Sequence, residues 1–201
     1  MQMKTQKSIV LDRSDFIAMI IETSIRIVEN KGLEYLKLKN VSDITGYSQS
    51  HIYKYFGNRL DILDIVIEHL FQRMKTEILN DLPKNLSFAE FFIVLLHRRK
   101  DFILKNKVLE LQFNRGDGGT KRLKEFNKTI QKKEDILFAD ISSIYYDTGK
   151  DMTTYLGLDL WQIWTLVLPL DLRNKFLLSE DSKETEQKVR SIFNVNQRLS
   201  F

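Results

Sequence analysis

The chain has no cysteine and, in 201 residues, only 2 prolines and 8 glycines. Without cysteine there are no disulfides, thiolate metal sites or cysteine nucleophiles, and a reducing compartment, the cytoplasm, is the expected location. So few turn residues cannot punctuate a sandwich or barrel, and the expectation is an all-α protein. Long apolar runs are missing as well: stretches such as 91–96 and 166–170 fall far short of the roughly 20 residues that cross a bilayer. The run at 9–11 is too short for a signal peptide. A soluble chain with no membrane partner is therefore expected.

Catalytic chemistry is equally scarce. The 3 histidines, His51, His69 and His97, fall on separate predicted helices with no second histidine one turn away, so no metal set can be assembled. No G-x-S-x-G elbow occurs, and Gly116-Asp117-Gly118-Gly119 lacks the Lys-Ser/Thr ending and the preceding strand of a phosphate-binding loop. No enzyme activity, cofactor or metal is expected.

What the chain does have is charge and helical periodicity. Its 31 basic and 27 acidic residues leave a net charge of +4, distributed as +3 over 1–60, −3 over 61–96, +8 over 97–133 and −4 over 134–201. The basic segment includes His97-Arg98-Arg99-Lys100 and Lys121-Arg122-Leu123-Lys124. It reads as a solvated helix face, a site for an anionic ligand, or a surface against the acidic C-terminal segment. Glu134-Asp135, and Glu184 with Glu186, read as solvated faces.

Ile17, Ile20, Ile21, Ser24, Ile27 and Val28 recur at helical spacing, with Asp15 as the expected N-cap and Lys31-Gly32 as the stop. A short helix over 38–45, a corner at Gly46-Tyr47-Ser48 and a second short helix capped by Ser48 and ending near Tyr55 make a helix-turn-helix pattern. A new cap at Asn58 opens a helix toward Asn80, striped by Leu63, Val66, Ile67, Leu70, Phe71, Met74 and Ile78 and stopped by Asp81-Leu82-Pro83. Further helices are expected over 87–102 (capped by Ser87), 108–113, 120–146, 153–178 (kinked at Pro169) and 182–199.

Gly46, the run Ile52-Tyr53-Lys54-Tyr55-Phe56, and Asn58-Arg59 before an apolar helix resemble the N-terminal domain of the TetR family of bacterial transcriptional regulators. The resemblance covers about 17–71; beyond it only the helical plan and length agree. It implies a helix-turn-helix DNA-binding domain over 1–58 and a helical ligand-binding and dimerisation domain over 59–201. Ile52 and Phe56, four apart, suit anchoring of the recognition helix, which leaves Gln49, Ser50, Tyr53 and Lys54 outward. DNA recognition is expected to rest on Gln49, Ser50, His51, Tyr53 and Lys54, with Lys37, Lys39, Tyr55 and Arg59 helping to hold the phosphate backbone, where Lys54 also suits a contact, and Ser48 completing the DNA-binding set. Lys37 stands where the family often has a capping Thr, and Gln49, Ser50 and His51 replace its usual small residues, so no operator sequence can be borrowed.

In the second half, Phe92, Leu96, Phe113, Phe138, Tyr145 and Trp164 are the expected lining of an apolar ligand pocket. By resemblance the last two helices form the dimer interface, here through Leu160, Ile163, Val167 and Leu170 on one and Ile192, Phe193 and Leu199 on the other. The implied protein is a homodimeric repressor that binds a palindromic operator in double-stranded DNA and is released by an apolar or amphipathic small molecule. The alternative is a helical interaction protein of the same fold that acts through a protein partner, with weak or nonspecific DNA binding.

Overall fold

A computed structural model describes residues 12–80, 82–113, 121–146, 170–178 and 182–197. All regular structure among them is helical: α1 Arg13–Lys31, a 3₁₀ turn Leu33–Tyr35, α2 Leu38–Thr45, α3 Gln49–Tyr53, α4 Arg59–Asn80, α5 Phe88–Lys105, α6 Lys107–Phe113, α7 Lys121–Tyr146, α8 Leu170–Leu178 and α9 Lys183–Gln197. None of these is long and apolar enough to cross a membrane. The expected loop at 116–119, the expected helix over 153–169 and its kink at Pro169 lie outside the described residues. The chain divides into two compact units, Met1–Val66 and Ile67–Phe201, and α4 runs unbroken through the division.

In the first unit, α1 begins earlier than expected. Asp12, not Asp15, is the N-cap: its carboxylate accepts from the Asp15 N–H at 2.9 Å and from the Ser14 hydroxyl at 2.7 Å. Asp15 sits instead in the first turn, where its charge suits the positive end of the helix dipole. The core is made by Phe16, Ile20, Ile21, Ile27 and Val28 of α1, Leu33, Leu36, Val41, Ile52 and Phe56, all buried. Ser24 enters that core because its hydroxyl donates to the Ile20 carbonyl at 2.7 Å, which satisfies that donor.

The second unit is organised around α5, which packs on α6, α8 and α9. Ser87 and Glu90 close a capping box at its start, each side chain bonded to the other's backbone N–H. Phe91, Phe92, Leu95, Leu96, Phe102 and Ile103 are buried with Val108 and Leu109 of α6, Ile130, Phe138 and Ile141 of α7, Phe176 of α8 and Val189 of α9. The whole expected stripe of α4, Leu63 to Ile78, is buried as well.

The charges depart most from expectation. Glu134 is not a solvated residue: it is fully buried, as is Arg99 from the basic segment. Arg99 Nε donates to Glu134 at 2.7 Å and Nη1 to the Arg173 carbonyl at 3.3 Å, and its guanidinium lies 5.0 Å over the Phe113 ring. Arg173, also buried, pairs with Glu134 at 3.3 Å and with Asp135 at 2.6 Å. Two guanidinium groups and two carboxylates thus compensate one another inside the unit and join α5, α7 and α8, since an isolated buried charge could not be tolerated. His97 meets Glu186 of α9 at 2.8 Å. Of the three readings of the basic segment, this stretch of it therefore lies against the acidic C-terminal segment.

Candidate nucleic-acid interface

The corner between α2 and α3 is built from local chemistry. Gly46 caps α2 in the left-handed region, φ 77°, which a side chain would strain. The Ser42 hydroxyl donates to the Tyr47 carbonyl at 2.6 Å and the Thr45 hydroxyl to the Val41 carbonyl at 2.8 Å, so both sides of the corner are pinned to α2. Ser48 then caps α3, its hydroxyl accepting from the His51 N–H at 3.2 Å. Lys37, in extended conformation before α2, makes no side-chain cap, as its chemistry dictates.

α3 has two unlike faces. Ile52 and, just past its end, Phe56 are buried, while Gln49, Ser50, Tyr53 and Lys54 are exposed, Tyr53 by 59%. The helix ends at Tyr53, slightly short of the expected Tyr55, because the N–H groups of Lys54 and Tyr55 turn back to the carbonyls of His51 and Ile52 and tighten the last turn. Lys37, Lys39 and Ser48 are also exposed.

Three of the expected DNA residues, His51, Tyr55 and Arg59, have additional attachments. His51 is half-buried, its ring stacked on Tyr47 at 5.3 Å, edge-on to Phe16 at 4.9 Å and beside Tyr55 at 5.6 Å. Phe16 also meets Tyr47 and Tyr55, each at 4.9 Å, and the Arg13 guanidinium lies 5.9 Å over the Tyr55 ring. This cluster clamps α3 to the first turn of α1. Phe16 and Arg13 were absent from the expected set, although rings at 47, 51 and 55, four apart, were its visible signal. Arg59 is half-buried, and its Nη2 donates to the Leu33 carbonyl. Asn58 caps α4 through Oδ1, which accepts from the Leu60 N–H at 2.8 Å, and its amide donates to Asp61 at 2.6 Å. Gly57 makes that approach possible, because a Cβ there would stand 2.7 Å from the Asp61 carboxylate.

The residues expected around a ligand do not share one environment. Phe92, Leu96 and Phe138 are buried in the core of the second unit, and Phe113 lies beneath Arg99. Tyr145 stacks on Phe91 at 4.6 Å, while its hydroxyl accepts from the Leu86 N–H and donates to the Pro83 carbonyl, both at 2.8 Å. It fastens the loop between α4 and α5. Trp164, and Leu160, Ile163, Val167 and Leu199 of the expected dimer interface, lie outside the described residues. Leu170 is on α8 and Ile192 and Phe193 are on α9, with their side chains outside the description. No group of three or more His, Asp or Glu among the described residues is arranged to hold a metal ion.

No protein-family model matches the sequence, and no curated protein matches it. Solved structures do match. A TetR-family transcriptional regulator from Syntrophomonas wolfei str. Goettingen aligns with a TM-score of 0.56 and 14% identity over 92% of this chain and 95% of its own. The fatty acid degradation regulator FadR from Bacillus halodurans aligns with a TM-score of 0.53 and 13% identity over 97% and 96%. A TetR/AcrR-family transcriptional regulator from Thermobifida fusca YX-ER1 aligns with a TM-score of 0.50 and 17% identity over 90% and 97%. The chain has the all-helical fold of these regulators.

Proposed function

We propose that this chain, sharing the fold of TetR-type regulators, is itself a cytoplasmic transcriptional regulator rather than an enzyme, and that α3 reads the major groove of an operator. The observation that carries this reading is the division of α3: Ile52 and Phe56 buried, Gln49, Ser50, Tyr53 and Lys54 exposed, directly after a corner pinned by Gly46, Ser42 and Ser48. An exposed Gln can bond adenine bidentately and a Ser can serve either base type. Exposed Lys37, Lys39 and Lys54 suit phosphates, which supply affinity without sequence choice.

In this reading two copies associate through α8, α9 and the residues preceding α8, which presents two recognition helices to a palindrome. An apolar or amphipathic ligand enters the second unit near Phe92, Leu96, Phe113 and Phe138, and because three of these rings and chains are packed in the core, it must open the space it occupies. α4 is the connector, being one continuous helix whose buried stripe runs through both units. A ligand releases the operator only by its differential affinity for the two arrangements, so it binds the free protein more tightly than the DNA-bound one.

Selection of bound fragments from a random duplex pool tests the reading. A recovered palindrome whose preference relaxes at one base pair in Gln49→Ala supports it. Recovery of no sequence motif overturns it in favour of a partner-directed role.

A further inference from the structure

Lys121, Lys124, Lys128 and Lys132 of α7 are all exposed. At 3.6 residues per turn their spacing places them within an arc of about 80° and along about 16 Å of helix. They form one stripe, one lysine to a turn. The opposite face of α7 carries Ile130, Leu137 and Ile141 and is buried. Among the described residues none of the four lysines has a carboxylate partner, whereas neighbouring Lys133 pairs with Glu68 at 3.4 Å and Lys75 with Asp140.

This arrangement works against the helix that carries it. The first turn of α7 contains no acidic residue, so the stripe begins at the positive end of the helix dipole. Lys124, Lys128 and Lys132 repeat at four-residue intervals, where like charges repel. Glu125, exposed four residues from Lys121 and three from Lys128, offsets only part of that repulsion and, among the described residues, forms no ion pair with any of the four. A local rule broken with so little internal compensation marks a surface completed from outside.

We infer that the α7 stripe binds the phosphate backbone of duplex DNA without regard to sequence, a second contact beyond that of α3. A protein partner fits less well, because protein interfaces are depleted in lysine and close over an apolar centre, and no apolar residue interrupts these four. A membrane surface fits less well too, because an interfacial helix needs its apolar face free, and that of α7 is packed inside its unit. Phosphates require only point charges on flexible stems, and each neutralised phosphate releases a counterion.

The test is the salt dependence of binding of the full chain to a labelled duplex of random sequence, titrated between about 50 and 200 mM salt. Replacing the four lysines together by glutamine is expected to reduce the steepness of log K against log salt by about 3 to 4 for each protomer engaged. Replacing them by arginine keeps the slope and controls for folding. An unchanged slope in the glutamine variant overturns the proposal. So does loss of binding to poly-glutamate, or to vesicles of anionic lipid, with duplex binding intact, since either assigns the stripe to another partner. The fate of α3 is read separately: a chain that selects an operator yet keeps its slope without the lysines loses only this inference. A lysine-dependent slope in a chain that selects no sequence leaves this inference standing and removes the other.

Discussion

Single side chains in this protein act through partners that either touch the next turn or come from far along the chain. Gln49 belongs to neither group, being exposed at the start of α3 with its amide available to a base. Gln49→Ala is expected to cost about 1 to 3 kcal/mol of operator affinity at one base pair and to relax preference there, as measured by titration of operators varied at each position. Glu186 carries a pH dependence. Burial pushes its carboxyl upward, but hydrogen bonds from His97 and Ser182 and the charges of His97 and Arg190 hold it below the ordinary carboxylate value. A carboxylate with a lowered native pKa binds protons more readily when unfolded, so its contribution is present above the unfolded value and is lost as pH falls through the native one. Melting temperature should therefore fall with acidification below about pH 4.5 more steeply in the native chain than in Glu186→Gln.

At the level of elements, helix ends and helix contacts depend on different chemistry. α5 starts where it does because Ser87 and Glu90 satisfy each other's backbone donors, and Ser87→Ala should cost about 1 kcal/mol in chemical denaturation. α5, α7 and α8 are joined instead by Arg99, Glu134 and Arg173. Glu134→Ala would leave two buried guanidinium groups short of a carboxylate, a loss of about 3 to 5 kcal/mol. Replacing all three residues together by apolar residues of similar volume should recover part of that stability, because the desolvation cost of those three charges disappears while Asp135 is left without its guanidinium. A urea titration of the two variants checks both statements. If the single and triple variants were equally unstable, the network would matter for packing rather than for charge compensation.

For the whole molecule, the proposed regulator requires two reading heads, and its second unit must supply their association. A charge at Val167, on the expected dimer face, should yield monomers by sedimentation velocity and abolish operator binding, because one half-site alone provides too little affinity. A variant that remained dimeric and bound normally would remove this face from the interface. The uneven charge, +8 over 97–133 within a total of +4, resolves into unlike fates. Arg99 is used inside, His97 faces α9, and the α7 lysines remain outside.

Periodicity and capping chemistry are local, and so the elements were legible in the sequence. The span of α2, the stop at Gly32, the caps Ser48, Asn58 and Ser87, and the buried stripe of α4 all depend on residues within a turn or two of one another. Even locally, the N-cap fell on Asp12 and not on the expected Asp15, because the Asp12 carboxylate reaches the Asp15 N–H. The two faces of α3 were legible for the same reason: Ile52 and Phe56 lie four residues apart. What only the tertiary structure decided involves partners distant in the chain. Glu134 meets Arg99 across 35 residues, and the Tyr145 hydroxyl meets Leu86 across 59, so neither burial nor role is written in the neighbouring sequence. A charged residue on a helix looks the same in one dimension whether it faces water or a buried guanidinium. Only the packing of α5, α7 and α8 distinguishes the two, because the energy of an ionised group is set by what surrounds it in space.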